Sequence, residues 1–249
     1  MSDKMFKFAF ITDSQLGMDS PSGLRGPNSD KDRFDRAIAY VKGSDVEFVV
    51  LGGDQINDAD GEDTDEQLDI LEESLGALTV PYYGVPGNHE QLTPGESCKY
   101  IERGLPVRFS LTHQNLYMVG INGSWLRGEY GDEYIEQEWE YLSTQLALAP
   151  ADCNHRFVVM HWPLLDHFPV TEDDVRGMPN HARIIELYKA HGVTCVLSGH
   201  LHEDMDGRFH GVSMIASSGT AAANVGDESF KVITVFEDGW SVRRVSVGD

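Results

Sequence analysis

Five short apolar runs in this chain each end in a residue capable of metal binding or proton transfer. Phe8-Ala9-Phe10-Ile11 leads into Thr12-Asp13-Ser14-Gln15, and Phe48-Val49-Val50-Leu51 leads into Gly52-Gly53-Asp54-Gln55-Ile56-Asn57. Tyr82-Tyr83-Gly84-Val85 runs into Pro86-Gly87-Asn88-His89-Glu90. Phe157-Val158-Val159-Met160 ends at His161-Trp162-Pro163, and Cys195-Val196-Leu197 ends at Ser198-Gly199-His200-Leu201-His202. Carboxylates, amide oxygens and imidazoles are the donors that first-row transition metals take from proteins. Singly, each has an ordinary explanation. An Asp or Asn after a strand is commonly turn chemistry, and a lone His is usually a hydrogen-bonded structural residue. Their recurrence at five strand ends favours a shared site, because ligands of open α/β sheets bind outside the carboxyl ends of the strands. His200 and His202 add to this: on an extended segment, alternation would place both imidazoles on one face.

Elements of two periods must carry these ends. Runs rich in Val, Ile, Phe and Tyr predict strands at 6–12, 46–51, 80–85, 107–111, 115–121, 156–161, 192–197, 211–216, 231–236 and 240–246. Phe34, Ala37, Ile38 and Val41 form a helical stripe after Ser29 and Asp30 and before Gly43. Leu68, Leu71, Leu75 and Leu78 form a second, with Thr64-Asp65-Glu66-Gln67 read as a capping box. Trp139, Leu142 and Leu146 form a third, and Ile184, Leu187 and Tyr188 a fourth ending near Gly192. Strands and helices alternate early, and strands alone follow late. The expectation is one α/β domain over 1–249 with mixed sheets.

Charge narrows the partners. Lys+Arg number 19 against 41 Asp+Glu, a net charge of −22 over 249 residues. Such a surface repels nucleic-acid backbones and anionic membranes unless cations intervene. No run approaches the roughly 18 apolar residues that span a bilayer. The amino terminus has no signal-peptide h-region, and Cys98, Cys153 and Cys195 form no CxxC pair, so free thiols in the cytoplasm are expected. Asn122-Gly123-Ser124 is accordingly read as ordinary chain rather than a glycosylation site. Asp58-Ala59-Asp60-Gly61-Glu62-Asp63 lacks the Gly an EF-hand needs at loop position six and reads as a solvated acidic loop, as do the runs 172–174 and 203–206. Gly84-Val85-Pro86-Gly87 has neither a P-loop Lys nor a dinucleotide fingerprint.

The order D-x-Q, G-D-x-x-N, G-N-H-E, H-x-P, G-H-x-H, spanning residues 13–202, resembles the calcineurin-like metallophosphoesterase superfamily. The DxQ form, with Gln137-Glu138-Trp139 and the segments around His161 and His200, is similar to the branch of calcineurin-like phosphoesterase domain-containing phosphatases. The resemblance implies a four-layer α/β/β/α sandwich of two mixed β-sheets with a dinuclear metal site at the strand C-terminal edge. It implies that one metal takes Asp13, Gln15, Asp54 and His202, and the other Asp54, Asn88, His161 and His200, with Asp54 bridging. The cofactors would be two divalent or trivalent ions, with manganese, iron and zinc all compatible with O and N donors. Two metals about 3.5–4 Å apart clamp a phosphoryl group and supply a bridging hydroxide for in-line attack. His89 would be the catalytic histidine at the leaving oxygen, and Glu90, one methylene longer than the Asp common in the family, its orienting acid. Asn57 reads as support rather than a ligand. An amide oxygen is a weaker donor than imidazole, so the Gln15 metal is expected to bind less tightly than the other.

The activity this implies is hydrolysis of phosphomonoesters, extending to phosphoserine or phosphothreonine protein. The same centre serves phosphodiesterases acting on cyclic nucleotides or nucleic acid, which is the first alternative. A non-catalytic scaffold, as in a retromer coat subunit of this architecture that has lost the histidine, is the second. The expected partners are therefore a small phosphate ester or a phosphoprotein, with long nucleic acid disfavoured and no membrane. Substrate choice is expected in loops 17–30, 91–106, 124–134 and 164–180, with Trp125, Tyr130, Trp162, His167 and Phe168 as wall residues.

Overall fold

The computed structural model describes residues 4–18, 25–90, 92–93, 95–96, 98–168, 175–221 and 228–248. The amino-terminal part alternates β1 (Lys4–Ile11), α1 (Asp30–Lys42), β2 (Phe48–Leu51), α2 (Thr64–Gly76) and β3 (Tyr82–Gly84). A one-turn helix α3 (Lys99–Glu102) precedes β4 (Phe109–His113) and β5 (Leu116–Gly120). Then come α4 (Gly123–Arg127), α5 (Asp132–Ala147), β6 (His155–Val159), α6 (His181–Ala190) and β7 (Cys195–Ser198). Four strands close the chain: β8 (Met205–Phe209), β9 (Val212–Ala216), β10 (Ser229–Phe236) and β11 (Trp240–Ser246).

Two mixed sheets result. The 5-stranded sheet has the order β11-β10-β1-β2-β3, and the 6-stranded sheet the order β4-β5-β6-β7-β9-β8. β1, β2 and β3 are parallel, as are β5, β6, β7 and β9, while β10, β11, β4 and β8 pair antiparallel. The period of two along the strands sets the layers. Phe6, Phe8 and Phe10 face one way and meet Phe48, Phe157, Leu197 and Ile233 between the sheets. Ala9 and Ile11 face the other way and pack with Val49 and Leu51 against Phe34, Ile38, Leu68 and Leu71 of α1 and α2. On the far side Val119, Val158 and Val196 pack against Leu142, Leu146, Ile184 and Tyr188 of α5 and α6. Three apolar interfaces separate four layers, the α/β/β/α arrangement expected from the motif order.

Helix α1 starts as the sequence predicts: the Ser29 hydroxyl accepts from Asp32 N at 3.3 Å. The capping box of α2 does not form. Thr64 is already inside the helix, and its hydroxyl donates to Asp58 O at 3.0 Å and Gly61 O at 2.8 Å. Gln67 reaches back past it, its Oε1 accepting from Asn57 N at 3.0 Å and Asp58 N at 3.1 Å. That redirected glutamine braces the loop carrying Asp54. Asn122 is buried and caps α4, accepting from Trp125 N at 3.4 Å, in keeping with its reading as ordinary chain. The run 203–206 is not simply solvated, because Met205 and Asp206 open the edge strand β8; the run 172–174 lies outside the described residues. Among the described residues, no helix is long and apolar enough to cross a membrane.

Candidate metal centre

The site assembles where strand ends from both sheets meet. Asp13 and Gln15 follow β1, Asp54 follows β2 and Asn88 follows β3, all in the 5-stranded sheet. His161 follows β6, and His200 and His202 follow β7, in the 6-stranded sheet. Beyond β1 and β2 the backbones stay zipped: Asp13 N donates to Gly53 O at 2.9 Å, Gln15 N to Asp54 O at 2.9 Å and Leu16 N to Gln55 O at 3.0 Å. Glycine permits the closest approaches. A Cβ at Gly87 would stand 2.0 Å from Asp54 Oδ1, and one at Gly199 would stand 2.2 Å from Asp13 Oδ2.

Five of these seven side chains sit on left-handed backbone: Asp13 (φ 49°), Gln15 (φ 37°), Asp54 (φ 52°), His200 (φ 70°) and His202 (φ 53°). The conformation costs a non-glycine residue about 1–2 kcal/mol, and such strain concentrates at functional sites. It also corrects the expectation that His200 and His202 share a face of an extended segment. The chain coils between them, and the rings serve different parts of the site. His200 lies beside His161, ring centroids 5.3 Å apart, whereas His202 Nε2 lies 3.3 Å from Asp13 Oδ1.

Ligand atoms of Asp54, His161 and His200 all fall within 4.8 Å of one another. His161 Nδ1 donates to Gly52 O at 3.0 Å, which turns Nε2 toward Asp54 Oδ2 at 3.0 Å and Asp13 Oδ1 at 3.9 Å. A bare imidazole nitrogen facing carboxylate oxygens needs a cation or a proton between them. Burial opposes a proton there, but the Asp54 and Asp13 carboxylates hold His161 up to about 10 in the metal-free protein. Burial likewise opposes ionisation of Asp54, yet His161 and then His89 keep it below the usual carboxylate range. Burial, then the charge of His161, press His200 down to about 4, leaving a neutral imidazole suited to ligation.

Three buried polar atoms without a hydrogen-bond partner belong to this group: Gln15 Oε1, Asn88 Oδ1 and His161 Nε2. The two amide oxygens are lone-pair donors, as is the His161 nitrogen once a cation takes the place of its proton, and a buried donor left bare is costly unless something electropositive meets it. The residues therefore fit metal ions. The remaining lone pairs are already organised: Thr12 Oγ1 donates to Asp13 Oδ2 at 2.7 Å, His200 N donates to both Asp13 oxygens at 3.1 Å, and His89 N donates to Asp54 Oδ1 at 2.9 Å.

His89 is partly exposed beside this cluster, its Nε2 3.9 Å from Asp54 Oδ2. Its Nδ1 meets the Asn57 carbonyl, which can only accept, so Nδ1 carries the proton and Nε2 is the free nitrogen. Asn57 is held by its own N–H to Leu16 O at 3.1 Å and to Gln67 Oε1, and it meets His89 through its backbone carbonyl. Glu90 does not take the orienting place expected for it. Fully buried, its Oε1 accepts from Gln55 N at 2.7 Å and Ile56 N at 3.3 Å, and its Oε2 from Asp54 N at 3.0 Å and Gly87 N at 2.5 Å. The longer side chain reaches past His89 and frames the loops that carry Asp54 and Asn88. Burial, then the charge of Asp54, push its carboxyl up to about 7 despite those four donors.

One cation at the rim carried no motif. The Arg127 guanidinium lies 3.8 Å from the centre of the Trp162 ring, and Trp162 in turn lies 3.5 Å, centroid to centroid, from the His200 ring. Trp162 is pinned by Nε1 donating to Ser124 Oγ at 3.0 Å, and Arg127 is partly exposed while paired with Glu129 at 2.9 Å. Among the expected wall residues, Trp125 donates from Nε1 to Leu92 O at 2.9 Å, and Phe168 packs against Gly207 of β8. Tyr130 is part-buried, and burial raises its phenol above the usual range; His167 is also part-buried. Residues 19–24, 91, 94, 97 and 169–174 of the expected specificity loops lie outside the described residues.

Comparison with known proteins bears on the family and the fold. Serine/threonine-protein phosphatase CPPED1 of Danio rerio is 26% identical over 256 aligned residues, covering 94% of this chain and 82% of that protein. The 3',5'-cyclic adenosine monophosphate phosphodiesterase CpdA of Haemophilus influenzae is 22% identical over 247, covering 95% and 84%. Among solved structures, a dimetal phosphatase from Danio rerio superposes with a TM-score of 0.72 at 19% identity, covering 99% of this chain and 98% of that one. GAP50, described as the anchor in the inner membrane complex of Plasmodium, gives 0.65 at 17% identity, covering 98% and 85%, a likeness of fold alone. The sequence model of the calcineurin-like phosphoesterases matches residues 6–204, the stretch that carries every strand end described above, and the chain belongs to that family of hydrolases.

Proposed function

We propose that this protein is a metal-dependent phosphohydrolase cleaving phosphomonoesters, with phosphoserine and phosphothreonine proteins as a substrate class. The observation that carries the reading is the convergence of three orphaned buried donors, Gln15 Oε1, Asn88 Oδ1 and His161 Nε2, beside a histidine whose free nitrogen faces the same space. Asp13, Gln15, Asp54 and His202 would hold one ion, and Asp54, Asn88, His161 and His200 the other. A bound pair of first-row cations supplies charge neutralisation for the phosphoryl oxygens and lowers the pKa of a water nucleophile.

The chain's own residues do the rest. Asp54 offers Oδ2 toward His161 while its Oδ1 is held by His89 N. His89, its Nδ1–H held by the Asn57 carbonyl, presents Nε2 to the site; protonated there as the imidazolium, it passes that proton to the leaving oxygen and is left in the neutral form whose Nε2 accepts from Gln15 Nε2. Glu90 acts only through the loops it frames. Arg127, set over Trp162, places a positive charge at the rim, where a phosphate ester dianion enters an otherwise acidic protein. The likeness to the phosphatase CPPED1 over most of both chains supports the monoester and phosphoprotein assignment.

The likeness to the cyclic-nucleotide phosphodiesterase CpdA favours a second reading, diester hydrolysis at the same centre. Rates on p-nitrophenyl phosphate and bis-p-nitrophenyl phosphate, measured side by side, separate the two. The monoester reading expects the first substrate to be turned over with clearly higher kcat/KM, and the reverse order would overturn it. A scaffold role is disfavoured because His89 and the whole donor set are present.

A further inference from the structure

We propose that Asp204 is a positioning residue for the metal centre, tying the His200–His202 loop of one sheet to Lys231 and Arg244 of the other. The inference rests on the metal-binding reading above. Among the described residues, the candidate ligands come from two sheets joined by no ladder of backbone hydrogen bonds; the sheets meet through the side chains packed between them and through turns at their edges. The separation of His202 from Asp13 therefore depends on what links the sheets at this edge.

Asp204 makes such a link. Two residues beyond His202, its Oδ1 accepts from Lys231 Nζ at 2.5 Å and from Ser218 N at 3.0 Å, and its Oδ2 accepts from Arg244 Nε at 2.9 Å. Lys231 and Arg244 are register partners on β10 and β11, and Lys231 also pairs across to Phe10 of β1. By alternation Lys231 points the same way as Ile233 and Val235, into the layer between the sheets, and it is nearly buried. An ammonium there requires a counter-charge, which arrives from the opposite sheet on the ligand loop. Ser218 extends the link beneath the first ligand, because the same turn gives Thr220 N to Thr12 O at 3.2 Å and Ala221 N to Asp13 O at 2.9 Å.

Among the described residues, His202 shows one contact of this kind, Nε2 to Asp13 Oδ1 at 3.3 Å. His200 is held twice: its N–H is bound by Asp13 and its ring lies against Trp162. Loss of Asp204 is therefore expected to loosen the Asp13–Gln15–His202 position more than the Asn88–His161–His200 position.

Manganese titration of the whole metal-stripped protein, read by calorimetry with melting temperature alongside, tests this. In Asp204→Asn the weaker Mn²⁺ equivalent should lose about tenfold in affinity and the tighter one about threefold or less, with Asp204→Glu recovering part of the loss. Should Asp204→Asn fail to fold with its buried Lys231 unpaired, the double variant Asp204→Asn/Lys231→Met removes both partners and is measured instead. A folded variant that binds both equivalents as the unaltered protein does, or loses both equally, overturns the positioning role alone. Unaltered protein that binds no Mn²⁺ overturns the metal-binding reading and this inference with it.

Discussion

Gln15 Nε2 lies 3.2 Å from His89 Nε2, so one amide serves two neighbours. Its N–H donates to the unprotonated nitrogen of the histidine, and that leaves Oε1, buried and without a hydrogen-bond partner, available to the proposed metal. A histidine at residue 15 could bind metal through one ring nitrogen but would lose this division of labour. Gln15→His is therefore expected to tighten the weaker metal site by about tenfold, imidazole being the better donor. Metal titration checks it, and two sites of equal, tight affinity in the unaltered protein would refute the assignment.

His89→Ala should reduce kcat on p-nitrophenyl phosphate by about 10²–10⁴, the range of a lost general acid. Its tighter metal equivalent should stay, because His89 touches Asp54 through its backbone N–H, which alanine keeps, while the weaker one should loosen as Gln15 Nε2 loses its acceptor. Rate and metal stoichiometry measured on one preparation check both halves; unaltered turnover would remove His89 from the mechanism.

Glu90 gives a pH dependence with a defined sign. Its carboxyl is pushed up to about 7 in the folded, metal-free protein, above the ordinary 4.5 that the unfolded chain retains. Between those values the unfolded chain releases a proton that the folded one keeps. The contribution of Glu90 to the stability of the metal-free protein should therefore fall as pH rises from about 4.5 to 7, by an amount on the order of a few kcal/mol, on top of the opposite slope from His200 and the falling slope from His161. Glu90→Gln should flatten that slope. Denaturant melts across the window check it, and a slope unchanged in the variant would contradict the assignment.

These residues also mark what a sequence can carry. The gathering of the candidate ligands was legible because each member follows an apolar strand, and strand ends are where topology must gather side chains. The mixed α/β character was legible in strand and helix periods, and the four layers only through the family resemblance that the motifs carry. Glu90 was misplaced because nothing in a Gly-Asn-His-Glu string says which backbone N–H groups a carboxylate will reach once folded. The His200–His202 turn was misread because two residues in left-handed backbone look the same in sequence as two in a strand. β8 and Asp204 hid in an acidic run, since an edge strand buries little and its charges resemble solvated ones.

Arg127→Gln should raise KM for a phosphomonoester by about tenfold while leaving kcat within about twofold, as expected for losing one charge-assisted contact to a dianion. Steady-state kinetics at two salt concentrations check it, because the part due to long-range attraction weakens as salt rises. A fall in kcat with unchanged KM would place Arg127 at the reacting phosphorus instead of the rim.

The most direct test of the account is a Mn²⁺ titration of metal-stripped protein followed by p-nitrophenyl phosphate hydrolysis. The account predicts no turnover in chelator, two binding equivalents, and activity that rises to its plateau only as the second, weaker equivalent fills. Full turnover with chelator present, or none after both equivalents have bound, would contradict it.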